Sequence, residues 1–263
     1  MLYPRIIPNL LIHKNGLVKT VNFTNPKYVG DPLNAVKIFN EKSVDELIIT
    51  DIDVTFNQSE PNYGLIEKLA NESRMPLCYG GGIKNISQAK KIFSLGVEKV
   101  AISSSVIENP NIVTDLAQSV GSQSVVVVLD IKKKYFSNSY ELFTHNGTKK
   151  TGINPLKFIE KIKKKGVGEL VINSIDRDGT MKGYDLKIID QVRKITTLPL
   201  TVLGGAGSLE DIGNLIKKYT IIGAGAGSIF VFKGKYKAVL INYPNDQEKK
   251  RLIENYLNIN YKW

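Results

Sequence analysis

Two stretches of this 263-residue chain have the same shape but differ at the position where chemistry would be done. VVVVLDIKKK (125–134) reads as a β-branched strand that surfaces into a polar loop and ends on Asp130, a carboxylate of the kind that can give or take a proton. RIIPNLLIHKNG (5–16) has the same form but offers Leu11, and leucine cannot transfer a proton. Two glycine clusters form a second candidate site. Gly80-Gly81-Gly82 and Gly204-Gly205-Ala206-Gly207 each follow an apolar run and precede a helix-start signal, so their backbone amides can approach an anion without side-chain obstruction. Neighbouring loops, Ser103-Ser104-Ser105 and GAGS (225–228), add hydroxyl and amide donors. Such glycines also make plain tight turns. Two clusters, each beside a serine-bearing loop, favour phosphate, and the expected ligand is a phosphate-bearing small molecule held at both ends.

The elements that must position these groups alternate along the chain. Strands are predicted at RIIPNLLI (5–12), ELIIT (46–50), PLCY (76–79), KVAIS (99–103), SVVVVLD (124–130), ELVIN (169–173), PLTVL (199–203) and TIIGAG (220–225). Between them lie amphipathic segments such as NAVKIFNEK, YGLIEKLANES and PLKFIEKIKKKG. Helix starts are marked by Asp31-Pro32, Asn109-Pro110, Asn154-Pro155 and the box Ser208-x-x-Asp211. Strand and helix alternating eight times predict an α/β fold, a single (β/α)8 barrel over 1–263, with active groups where strands run into the following loops. One offset of 123 residues pairs Glu46 with Glu169, Asp53 with Asp176, Gly81-Gly82 with Gly204-Gly205 and Ser105 with Ser228. The barrel therefore reads as two duplicated half-barrels, about 1–120 and 121–243, followed by a C-terminal helix over 244–263.

Composition bounds the partners. Hydrophobic residues at 42% and charged residues at 23% suit a chain with a large buried core, and no apolar run reaches membrane-spanning length. The start MLYPRII lacks the pattern of an export signal, and a lone Cys78 rules out an internal disulfide, so a cytoplasmic location is expected. The net charge of +11 raises nucleic-acid binding, but the lysines are spread over helix faces such as EKIKKKG (160–166), which reads as solvated surface. Neither nucleic acid nor a membrane is expected as a partner, and no cofactor or metal motif is read.

Together RII (5–7), VKTVNF (18–23), GDP (30–32), DELIITDI (45–52), GGGI (80–83), GSQSVVVVLD (121–130), GELVINSIDRDGTMKGYD (168–185) and GGAG (204–207) resemble the cyclase subunit of imidazole glycerol phosphate synthase. SIDRDGT with GYD behind it is the most specific part. The resemblance implies that a class I glutaminase docks at the lower face and that ammonia crosses the barrel to a bisphosphate at the upper face. Two aspartates at the ends of strands one and five then act as acid and base. Asp130 matches the second, and Leu11 stands at the first. Ligand-binding roles are implied for Lys19, Gly82, Ser103, Ser104, Asp178, Gly179, Gly205, Gly207 and Ser228. The half around Gly82 is expected to be weaker, because Ser103-Ser104 replaces the family's Asn-Thr pair. Arg5, Glu46, Lys99 and Glu169 match the family's charged ring, read as an ammonia gate, although such a ring can also simply plug the barrel floor. Glu98 and Gln123 are expected near the partner contact.

With leucine at 11, cyclisation is expected to be impaired. Asn9 is no acid at neutral pH, His13 is placed beyond the strand in a mobile loop, and His145 beside Asn146-Gly147 reads as hairpin surface. Three readings stay open. One is an ammonia-conducting barrel like the cyclase-like proteins of bacterial surface-polysaccharide pathways, serving acetamidino-sugar formation with a third, sugar-modifying enzyme. Another is a true cyclase of histidine biosynthesis with Asp130 alone or an unrecognised partner acid. The last is another bisphosphate-binding barrel, such as a phosphoribosyl isomerase, or a binding protein without catalysis.

Overall fold

A computed structural model describes residues 3–135, 137 and 139–257. Its eight inner strands are β1 (Arg5–His13), β2 (Leu47–Asp51), β3 (Leu77–Gly80), β4 (Lys99–Ile102), β5 (Val125–Lys133), β6 (Glu169–Ser174), β7 (Leu200–Leu203) and β8 (Gly223–Ala226). Each pairs in parallel with the next, and β8 returns to β1 with Gly223 beside Arg5, so the sheet closes into a (β/α)8 barrel. Successive residues of a strand point to opposite faces. Outward residues such as Ile6, Leu10 and Ile49 join the helices in one apolar core, while Ile7, Ile48, Cys78, Ala101, Val126, Val171 and Leu203 form a second cluster inside the barrel.

Local chemistry sets the helix starts. Asp31 accepts from Asn34 N at 2.9 Å before Pro32–Glu41, and Asn154 accepts from Leu156 N and Lys157 N before Pro155–Ile162. Ser208 and Asp211 form a reciprocal capping box before Leu209–Tyr219. The Asn109-Pro110 signal lies two residues early. There Asn109 caps the turn at Asn111 N, and the helix runs over Ile112–Val120. The eighth strand also differs from TIIGAG. Thr220 sits at φ +59° after the preceding helix, Ile221 is exposed, and pairing begins at Gly223, where a side chain would strike Thr201.

Two hairpins rise from the upper rim, the second turning at the Asn146-Gly147 signal and the first unannounced by the strand reading. Gly16–Val21 and Thr24–Gly30 extend β1, and Tyr140–Thr144 extends β5. The 123-residue offset recurs in three dimensions. Gly81 at φ +126° and Gly204 at φ +90° each sit where a Cβ would lie 2.5 Å from a carbonyl oxygen, of Asp51 and Ser174 respectively, and those two are also 123 residues apart. After residue 243 a helix spans Asp246–Leu257 against Leu209–Tyr219, and residues 258–263 of the expected terminal helix lie outside the described residues. Among the described residues no helix is long and apolar enough to cross a membrane.

Candidate active site

The four predicted gate residues meet at the N-terminal rim. Arg5 bonds Glu46 and reaches Glu169 at 2.7 Å, while Lys99 reaches the same carboxylates at 2.8 and 3.0 Å, so cations and anions alternate around a closed ring. Thr201 donates to Glu169 as a further partner. Burial alone would push the Glu169 carboxyl up, but the Arg5 hydrogen bond, the Arg5 and Lys99 charges and Thr201 hold it well below its ordinary range. Glu98 and Gln123 are exposed on the same rim, just before β4 and β5, with the Glu98 carboxylate accepting Leu77 N at 2.8 Å.

Stepping by twos from this ring gives a layered interior. Arg5, Glu46, Lys99 and Glu169 are followed by Ile7, Ile48, Ala101 and Val171, and these by Asn9, Thr50, Ser103 and Asn173. The apolar layer merges above into a cavity of about 570 Å³ at the C-terminal mouth, whose wall includes all four residues of that third, polar layer. Charge, then grease, then hydrogen-bonding groups is the order met by a small neutral molecule that enters from below.

Asp130 and Leu11 both line this cavity. Asn173 Nδ2 donates to Asp130 Oδ1 at 2.9 Å and Ser103 Oγ to Oδ2 at 3.3 Å; burial outweighs both and pushes the carboxyl up to about 6. A carboxyl poised near neutrality suits proton transfer. Leu11 supplies none, and its register beside Val18 and Thr50 leaves it part of the wall.

A smaller recess opens beside the cavity at the ends of β7 and β8, lined by Lys19, Asp178, Gly179, Gly205 and Ser228 among others. Lys19 is buried, donates to Asn9 O at 2.8 Å, and is lowered to about 8 by burial against the favourable charge of Asp178. Gly227 is bare where a Cβ would strike Lys19 Nζ. Asp178 accepts from Thr20 Oγ1 at 2.7 Å and Phe23 N at 3.3 Å, pinning the first hairpin, and burial raises its carboxyl. Gly207 does not face this recess. Its N–H is taken by Asp211 Oδ2 at 2.9 Å in the capping box. On the other side Gly82, Ser103 and Ser104 line the large cavity, with Ser104 Oγ accepting His145 N at 3.3 Å. Gly82 is glycine because a Cβ there would strike Val54, a packing reason that adds to any ligand reason.

Two expectations are corrected. His13 is not in a mobile loop: it ends β1, pairs with Gly16 of the hairpin, lines the cavity, and its Nδ1 lies 2.6 Å from Asp53 Oδ1. His145 is not plain surface either, because Asn146 Nδ2 ties its turn to Ile52 O at 2.6 Å and swings the hairpin over the mouth. Residues missed from the sequence were Thr50 and Asn173, together with Asn9 as a wall residue whose buried Oδ1 has no partner. Counting by twos from the charged ring would have found all three.

Residues 5–237 match the family described as histidine biosynthesis protein. A Vibrio vulnificus protein provisionally named imidazole glycerol phosphate synthase subunit hisF3 is 56% identical over 97% of this chain and 98% of its own. A Pseudomonas aeruginosa protein provisionally named subunit hisF2 is 47% identical over 93% and 97%. The Clostridium botulinum imidazole glycerol phosphate synthase subunit HisF is 37% identical over 89% and 92%. The match spans the charged ring, the layered interior and the residues around the cavity and the smaller recess, and the chain belongs to the histidine biosynthesis protein family.

Proposed function

We propose that this chain is the barrel subunit of a glutamine-dependent synthase of the imidazole glycerol phosphate synthase type, the cyclase subunit of histidine biosynthesis. The observation that carries the reading is the stack of charged ring, apolar layer and polar layer beneath a cavity that holds an acid titrating near neutrality. A class I glutaminase docks at the N-terminal rim near Glu98 and Gln123, where Tyr3 and Ile221 also expose apolar surface. The ring of Arg5, Glu46, Lys99 and Glu169 is the gate. Ammonia crosses the apolar layer uncharged and meets Asn9, Thr50, Ser103 and Asn173 at the cavity floor.

A bisphosphate spans the mouth. The half at Lys19, Gly205 and Ser228, with Asp178 and Gly179 behind it, binds more strongly than the half at Gly82, Ser103 and Ser104, because among the described residues only the first has a buried cation beside it. Asp130 is the proton-transfer group. On this reading the barrel is two half-barrels, about 1–120 and 121–243, with one phosphate recess in each.

Leu11 favours a second reading, in which the ammonia goes to a different acceptor. That acceptor would be a sugar in surface-polysaccharide synthesis, with a third enzyme acting on it to form an acetamidino group. The names of the three relatives given above are those of imidazole glycerol phosphate synthase subunits, and they support the first reading. The experiment supplies the purified chain with an ammonium salt and the bisphosphate substrate of imidazole glycerol phosphate synthase. Turnover within about tenfold of the Clostridium botulinum subunit supports the first reading, because losing one proton-transfer group outright costs at least ~10²-fold. Binding of that bisphosphate without turnover supports the second.

A further inference from the structure

Position 11 carries no acid, yet an imidazole lines the same cavity close by on the same strand. His13 lies one inward step beyond Leu11 on β1, at the strand end where a barrel presents its reactive side chains. Register with Gly16 holds it, and the Asp53 carboxylate takes Nδ1 at 2.6 Å. Asp53 is itself fixed by Lys14 N, which donates to Oδ2 at 2.7 Å. A carboxylate on Nδ1 selects the tautomer that leaves the Nε2 lone pair free, and it stabilises the imidazolium once a proton is taken. Both His13 and Asp53 line the cavity that holds Asp130.

We propose that His13, oriented by Asp53, is the second catalytic proton-transfer group of this site and stands in for the acid absent at position 11. The inference rests on the ammonia-using reading above. As ammonia adds to an electrophilic carbon of the bound phosphate ester, a C–N bond forms and the π electrons of the carbon–heteroatom bond move to the heteroatom. Asp130, while protonated, gives its proton to that heteroatom, and His13 Nε2 takes one from the new ammonium. One proton is given and one taken, and exchange through the open mouth resets both groups. Charged or titratable side chains around His13 are Asp51 at the end of β2 and Asp53 at the start of the short helix after it, with Lys84, Glu108, Asp130, His145 and Asp178 lining the same cavity.

The full-length chain, the bisphosphate named above and an ammonium salt provide the test. His13→Ala is expected to lower turnover by ~10²- to 10⁴-fold while bisphosphate binding is kept, and added imidazole to restore part of the loss. Asp53→Asn, a positioning change, is expected to lower kcat and leave KM in place. Turnover by His13→Ala within about twofold of wild type overturns the proposal, as does a loss that imidazole does not relieve. If wild type is inactive where the Clostridium botulinum subunit is active, the substrate reading fails and the imidazole spectrum decides. The chain has 2 histidines, so nitrogen NMR with His13→Gln assigns each ring. The Nδ1–H tautomer at His13, turning to Nε2–H in Asp53→Asn, upholds the proposal. Nε2–H in wild type overturns it.

Discussion

The two ends of the barrel treat polar groups in opposite ways. At the N-terminal rim, Arg5, Lys99, Glu46 and Glu169 satisfy one another, and both carboxylates are buried with their cations in place. At the C-terminal mouth, Asp130 is raised by burial, the Asn9 side-chain oxygen is buried without a partner, and Lys19 is a buried cation opposite Asp178. A closed network holds its shape unaided, whereas a cavity with underused polar groups is built to receive something. On the function proposed above, the closed end is the gate and the open end the reaction site.

That contrast can be broken most forcefully at the rim. Glu169→Ala leaves Arg5 and Lys99 sharing only Glu46 and strands the Thr201 hydroxyl, and is expected to cost about 3 kcal/mol in denaturant unfolding. The mouth should respond with the opposite sign. Asp130 titrates at about 6 in the folded chain against an ordinary 3.8, so the folded state holds that proton more tightly than the unfolded one. Its contribution to stability is full below about pH 4 and is lost as pH rises through about 6. Asp130→Asn should therefore be about 3 kcal/mol more stable than wild type at pH 8, with the gain vanishing at acid pH. A loss of stability at pH 8 would mean that Asn173 and Ser103 outweigh the burial.

Smaller effects test the supports. Asp178→Ala removes the acceptor of Thr20 Oγ1 and Phe23 N in the first hairpin and should cost ~1.5 kcal/mol, read as faster amide exchange over Gly16–Gly30. Ser208→Ala removes one arm of the capping box and should cost ~1 kcal/mol with no effect at the rim.

Much of this was legible in the amino-acid order. Eight apolar runs alternating with capped amphipathic segments specify the barrel, and the charged residues that open the first, second, fourth and sixth strands specify the ring, because both follow from local periodicity. The first hairpin was not legible in the same way. Gly16–Val21 and Thr24–Gly30 owe their place to Asp178, more than 140 residues away, and a contact across the mouth leaves no periodic trace. His13 was misread for the same reason: its order comes from pairing with that hairpin and from Asp53, at the start of the short helix after the next strand. Helix and strand ends at Ile112 and Gly223 moved by a few residues where a turn or a close glycine contact overrode apolar character.

The central claim is that the rim passes ammonia upward, and one comparison tests it. Lys99→Ala should stay folded, since Arg5 still pairs both carboxylates, at a cost of about 1.5–3 kcal/mol for hydrogen bonds to charged groups. In the complex reconstituted with a class I glutaminase, product formation is measured with glutamine and, separately, with saturating ammonium, before and after the change. The account predicts that the glutamine-dependent rate falls about tenfold, worth ~1.4 kcal/mol, while the ammonium-dependent rate stays within about twofold. If both rates change in the same proportion, or no glutaminase binds, the ring is only a plug in the barrel floor and the account is contradicted.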